Sequence, residues 1–378
     1  METDKLAILG GEPVSPSPIR LANPTFAESL PFEIKLILDS GRLREGEFTE
    51  RFEKAFSQRV GARYGLAVCN GTASLHLSSL LSFKPGCEVI VPSFTFIGTA
   101  SAIVMAGCKP VFADVDSNTF LIDLDDADEK VNVRTSAVLP VHLFGNVVEF
   151  DRVLEFAEDT GLPVINDCAQ AIGATWRGKE LGQYPGVGCY SFYPSKIITT
   201  GEGGMVICND EATINKVKTL KQDPTTGIGL NYRTTDIAST IGLSQLSLLD
   251  KFLEGRKSVA NILTKGLNNV KGITPQRVSN HVSHCYNYYT VKIDQSVFCC
   301  NRDKFVSALQ FENIMCGVYY DTPLHRHPYF SAYCHNDCPN SETLSETLFS
   351  LPIHPSISEV EAKMIVAAIK KVAEHYYL

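Results

Sequence analysis

Two residues in the middle of this 378-residue chain have types and spacing that could do chemistry. Asp167 ends the apolar run "LPVIND". Lys196 lies 29 residues later in "SFYPSKIITTGEGGMV", a stretch of small residues and aromatics with no other basic residue. A carboxylate at the inner end of a central strand is costly unless a cation meets it. A lysine at the mouth of a buried strand loses solvation, so its pKa falls and the neutral amine can attack a carbonyl to form a Schiff base. Upstream, "VCNGTASLHL" sets Asn70, Gly71, Thr72 and Ala73 at a strand-to-helix turn, where free N–H groups and the helix dipole favour a phosphate. Phe96 in "PSFTFIGTA" offers an aromatic face beyond another strand end, and Gln170 follows Asp167 by three residues. Plainer readings compete residue by residue: a surface charge for Lys196, a helix cap for Asp167 or Thr72, core packing for Phe96, and turn hydroxyls for Ser191, Ser195 and Thr199.

These residues need a scaffold, and the pattern around them supplies one. Candidate strands cover residues 66–69, 88–92, 110–114, 137–141, 163–167, 188–192 and 204–208. Helical segments such as "GTASLHLSSLL" and "EFDRVLEFAEDTG" lie between most of them. Alternating strands and helices imply a mostly parallel sheet covered on both faces, with ligands bound beyond the carboxyl ends of the strands. A Pro-rich opening reads as an extended arm, and "FTERFEKAFSQRVG" as a helix ending at Gly61. From about Thr235 to about Leu267 one long helical pattern leads into a second region. There "SHCYNYYTVKI" reads as a strand, "RDKFVSALQFENI" as a helix and "EVEAKMIVAAIKKVAEHYYL" as a closing amphipathic helix. We therefore expect an arm and a large α/β domain over residues 1–250, and a smaller α+β domain over 251–378. A phosphate turn, then a carboxylate, then a lysine, each following a strand of one sheet, is the arrangement a pyridoxal-phosphate enzyme requires.

Composition narrows the classes further. With 44% hydrophobic and 20% charged residues and a net charge of -8, the chain lacks the basic surplus of nucleic-acid binders. Twelve scattered cysteines and an opening with too short an apolar core for a secretory leader point to reduced thiols in a cytoplasmic protein. The uncharged run "VIVPSFTFIGTASAIVMAGC" is long enough to span a bilayer, but Pro92, Gly98 and its hydroxyl residues break it into a strand, a turn and a helix. No membrane segment is expected.

Over nearly its full length the chain resembles the DegT-type sugar aminotransferases, a branch of the fold-type I pyridoxal-phosphate enzymes. The motifs are "SGRLREGEFTERFEKAF", "NGTASL", "PSFTFIGTA", "FADVD", "PVHLFG", "NDCAQAIGA", "SFYPSK", "TTGEGG", "LNYRTTDIASTIGLSQL" and "TPLHRHPYF" with "LPIHPSIS". The resemblance implies an aspartate-aminotransferase-like three-layer domain and pyridoxal 5'-phosphate as cofactor. It also implies Lys196 as the Schiff-base lysine, Asp167 as the partner of the pyridine nitrogen, and Gln170 near the phenolic oxygen. Gly71, Thr72, Ala73 and Ser191 match the phosphate cradle and Phe96 the stacking aromatic. Asn231 in "LNYR" matches an asparagine that reaches the neighbouring subunit's phosphate, which implies a homodimer with shared active sites. His325 and Tyr320 are the substrate-facing candidates, with a hydrogen-bonded turn as the plain reading of His325.

Departures from the family pattern stand at Asn166, Ile172 and Asn287, and they leave specificity open. The expected reaction moves an amino group from glutamate or glutamine to a keto-sugar, foremost a nucleotide-linked 3- or 4-keto-6-deoxy sugar. A keto-cyclitol or a free keto-sugar is the alternative. Two readings from other classes are an inactive cofactor-binding relative and a regulatory module with zinc on His325, His327, Cys334, His335 and Cys338. The intact Lys196, Asp167 and Gln170 oppose the first, and the non-standard spacing opposes the second.

Overall fold

The computed structural model describes residues 5–82, 85–222, 229–334 and 336–378. Its strands are β1 (Tyr64–Val68), β2 (Glu88–Pro92), β3 (Lys109–Ala113), β4 (Thr135–Val138), β5 (Ile165–Asp167), β6 (Thr175–Trp176), β7 (Lys179–Glu180), β8 (Val187–Ser191), β9 (Gly204–Cys208), β10 (Ile273–Pro275), β11 (Val282–Ser283), β12 (Tyr289–Ile293) and β13 (Leu348–Leu351). Strands β1, β9, β8 and β5 form one sheet and β3, β2 and β4 another. Bridges from Val138 to Val164 and from Val141 to Asp167 join them edge to edge, giving the order β1-β9-β8-β5-β4-β2-β3.

Pairing is parallel throughout the β8-to-β3 half, while β9 runs antiparallel to both β1 and β8. The continuous apolar runs of β2 and β9 are buried at every position, as strands covered on both faces must be. The bilayer-length run resolves into β2 and the helix Ile97–Met105. Among the described residues no helix is long and apolar enough to cross a membrane.

Helices start and stop where the local chemistry allows. The helix Glu47–Val60 ends at Gly61, whose φ of +76° is a left-handed conformation that glycine adopts without a Cβ penalty. The closing helix Glu359–Tyr376 begins with a capping box between Ser358 and Glu361. The long pattern expected from Thr235 is broken at Leu248 into Asp236–Ser247 and Leu249–Leu267. Gln245, next to the break, is held by tertiary bonds, donating to the Thr25 carbonyl and accepting from the Thr199 N–H.

The strand expected over residues 283–293 is also shorter. Its first half is taken by loop contacts, with Cys285 and Tyr288 donating their N–H groups to the carbonyls of Gly145 and Phe144. The three-stranded sheet β10-β12-β13, the helices Leu249–Leu267, Arg302–Phe311 and Glu359–Tyr376, and arm residues Leu6 and Ile19 share one apolar core. A separate cluster behind β8 packs Phe52, Phe56, Tyr190 and Phe192 together.

Phe56 is the centre of that cluster. It is fully buried, with ring centroids 5.0 Å from Tyr190 and 5.1 Å from Phe192. Phe56→Ala therefore costs about 3–5 kcal/mol, expected as a clear fall in the thermal midpoint followed by circular dichroism.

Candidate active site

Loops at the carboxyl ends of β1, β2, β5 and β8 converge on an open cleft of about 950 Å³. Its walls include Gly71, Thr72, Phe96, Asp167, Gln170, Ser191 and Lys196, which the sequence scatters over more than a hundred positions.

At the head of the helix Gly71–Ser82 the first-turn N–H groups have no acceptor within the helix. Asn70 supplies one, its side-chain oxygen accepting from the Ala73 N–H at 2.8 Å. Ala73 is therefore buried and satisfied and does not line the cleft, whereas Gly71 and Thr72 do. A Cβ on Gly71 would lie 2.7 Å from the Ser191 Cβ, so only glycine lets the turn press against the end of β8.

Asp167, at the end of β5, is 5% exposed. Its carboxylate accepts bonds from the Thr99 hydroxyl at 2.9 Å and the Ala169 N–H at 3.0 Å. Burial raises its pKa, while those two bonds and the charge of Lys196 oppose the rise. Lys196 sits in the turn after β8, its N–H bonded to the Tyr193 carbonyl. Burial of the amine pulls its pKa down to about 8 against the opposing pull of Asp167.

Gln170 is fixed at both ends of its amide. Its oxygen accepts from the Phe144 N–H at 2.8 Å and its nitrogen donates to the Tyr320 hydroxyl at 3.0 Å. Phe96 keeps half its surface exposed in the cleft, with its ring 6.2 Å from that of Tyr320.

His325 is placed differently from the substrate-facing position expected of it. It is buried away from the cleft, bonded through Nδ1 to Ser93 and through Nε2 to Glu342 at 2.9 Å. His327, two residues on, lines the cleft instead. Asn231 is exposed with φ +57° and does not line the cleft of its own chain.

Among the described residues no group of three or more His, Cys, Asp or Glu is placed to hold a metal; His335 of the zinc reading lies outside them. Asn166 faces His142 through a 3.4 Å contact, Ile172 packs in the core, and Asn287 is buried with its side-chain amide unpartnered in the protein. Thr99, Tyr288 and Asn70 are residues that the sequence reading did not single out for these roles. An Asn three residues before an orphan N–H signals a cap, but nothing local to Thr99 or Tyr288 points to Asp167 or to Ser195, which Tyr288 meets at 2.9 Å.

Only the neutral amine attacks carbonyls. Reductive trapping of a small aldehyde on Lys196, read by mass spectrometry, is therefore expected to rise with pH through about 8 and then level off, and to vanish in Lys196→Arg.

Comparison with known proteins agrees with this geometry. Residues 27–370 match the DegT/DnrJ/EryC1/StrS aminotransferase family. The GDP-perosamine synthase of Caulobacter vibrioides is 34% identical, over 86% of this chain and 90% of that protein. A putative L-glutamine:3-amino-2,3-dideoxy-scyllo-inosose aminotransferase of Streptoalloteichus tenebrarius is 35% identical, over 87% and 83%. The crystal structure of S. venezuelae DesV in complex with a ketimine intermediate superposes with a TM-score of 0.87 at 28% identity, covering 92% of this chain and 94% of that one. The chain thus belongs to the DegT/DnrJ/EryC1/StrS aminotransferase family and is a pyridoxal-phosphate-dependent sugar aminotransferase.

Proposed function

We propose that the enzyme transfers an amino group from glutamate or glutamine to a nucleotide-linked 3- or 4-keto-6-deoxy sugar in amino-sugar biosynthesis. The observation that carries this reading is the cleft itself, where Lys196 and Asp167 share a site of about 950 Å³ that stays open to large substrates. A keto-cyclitol acceptor is the second reading, supported by the 35% identity to the inosose aminotransferase.

The residues present fit the cofactor. Gly71, Thr72 and Ser191 make a tight cradle at a helix N-terminus suited to its phosphate, and Phe96 offers an exposed ring. The buried Asp167 carboxylate suits a protonated ring nitrogen. When bound, pyridoxal phosphate supplies the electron sink for the reaction.

The chain's own groups do the rest. Lys196, neutral in part near pH 8, takes a proton from the α-carbon of the donor and returns one to the former keto carbon of the acceptor. The Thr99 hydroxyl and the Ala169 N–H favour the anionic form of Asp167 against the effect of burial, and that carboxylate would hold the protonated ring nitrogen of the cofactor. Gln170 is held in one orientation by Phe144 and Tyr320.

We read the active form as a cytoplasmic homodimer. The arm and the helix Leu30–Ser40 leave Phe26, Phe32, Leu36 and Leu38 at least half exposed, a face suited to a second copy of the chain. Asn231 is exposed and does not line its own cleft, and we assign it to the partner's phosphate site. The twelve cysteines form no disulfide among the described residues, in keeping with a reducing compartment.

Two experiments test these readings. Enzyme loaded with pyridoxamine phosphate should regain its aldehyde absorbance with a nucleotide-linked keto-sugar. Recovery with a keto-cyclitol alone would favour the second reading. Mixing Lys196→Ala with Asn231→Ala should restore activity that neither variant has alone, because one of the two shared sites in the hybrid is then intact. No recovery on mixing would remove the assignment of Asn231.

A further inference from the structure

Behind the cleft lies a second, small cavity of about 20 Å³, walled by Pro194, Ile197, Gln245, Arg256, His354 and arm residues Asn23 to Thr25. Among the described residues Lys196 alone lines both the cavity and the cleft. A space of this size takes one water, for which about 10–15 Å³ is enough.

Two polar side chains on the cavity wall are buried and incompletely satisfied. Arg256, on the helix Leu249–Leu267, is 4% exposed. Its Nη1 donates to the carbonyls of Tyr286, Asn287 and Ile353 at 2.9, 3.2 and 2.8 Å, but its Nε–H meets no protein acceptor. No carboxylate among the described residues pairs with it within ion-pair distance. His354, just beyond β13, is 6% exposed, and its Nδ1 has no protein partner. Leaving a donor and a ring nitrogen buried and unmet costs on the order of 1–3 kcal/mol each, so something fills the gap.

The chemistry of the pair decides between a water and a small anion. Burial beside Arg256 pulls the imidazole pKa down to about 4, so at neutral pH the ring is uncharged. The cavity wall therefore carries a donor, Arg256 Nε–H, and a neutral ring nitrogen, His354 Nδ1. Water accepts from the first and meets the second in either tautomer, because it both donates and accepts. A halide can only accept, so it would meet both groups in one tautomer alone.

We propose that this cavity is the seat of one ordered water bridging Arg256 Nε–H and His354 Nδ1, and that through it the two act as positioning residues for Lys196. The water solvates the lysine from the cavity side. Asp167 faces it from the cleft side, and Arg256 and His354 are the other titratable groups on the cavity wall. The bridge also ties together three chain segments that meet there, namely the arm, the helix carrying Arg256 and the segment after β13.

The test uses the holoenzyme. A high-resolution crystal structure grown with bromide should show a water peak within hydrogen-bonding distance of both atoms. An anomalous bromide peak, or no density in the cavity, would overturn the proposal. The visible absorbance of the holoenzyme, titrated against pH, reports the Lys196 nitrogen. Without the water its protonated form loses solvation, so His354→Leu should lower the midpoint by about half a pH unit or more. His354→Gln, which keeps an acceptor on the cavity wall, should restore it. Unchanged midpoints in both variants, or the same shift in both, would refute the positioning role. Should His354→Leu fail to fold, His354→Met, equally unable to replace the ring nitrogen, takes its place in the titration with the same expected shift.

Discussion

The electrostatic pairing of a buried carboxylate with a desolvated amine is the constraint on which this structure turns. Asp167 and Lys196 sit at the ends of neighbouring parallel strands, each made costly by burial and each offsetting part of the other's cost. In water the amine would stay protonated, and burial is what draws it toward neutrality. Asp167 remains an acceptor because Thr99 and the Ala169 N–H hold it, and Lys196 is drawn toward neutrality because the protein removes its solvent. The parallel register of β5 on β8 and the aromatic cluster behind β8 exist, in functional terms, to hold these two groups at one place.

Around that pair the protein uses backbone conformations that few residues tolerate. Phe144 at φ +63° delivers its N–H to Gln170, and Tyr286 at φ +53° leads into the loop whose Cys285 and Tyr288 bond Gly145 and Phe144. Non-glycine residues in this region carry strain that surrounding structure must offset. Both lie one contact from the cleft, through Gln170 and Tyr288. The β12 region thus contributes Tyr288 to the wall of a site built mainly by the seven-stranded sheet.

Much of this was legible along the chain. Six of the seven main strands lie within two residues of the expected positions, because runs such as "EVIVP" and "GMVIC" have no amphipathic alternative and are bounded by turn residues. The burial of Lys196 and Asp167 follows from the apolar strands that precede them, and both lie at the cleft. The long strand before Ile293 is shortened where a tertiary bond outbids local pattern, at Cys285, and the long helix after Thr235 is interrupted at Leu248. His325 and His327 could not be told apart in sequence, since a two-residue difference in a turn reverses which imidazole meets Glu342 and which meets the cleft.

Sequence by itself determined the class of fold and the cofactor and singled out Lys196 and Asp167 as candidates, since periodicity, charge in apolar context and motif spacing are local properties. Only tertiary structure decided that Thr99 holds Asp167 and that Arg256 and His354 face one cavity behind Lys196. These are contacts between segments up to about a hundred residues apart in the chain, and no propensity or pattern encodes which two side chains will meet once distant strands are brought side by side.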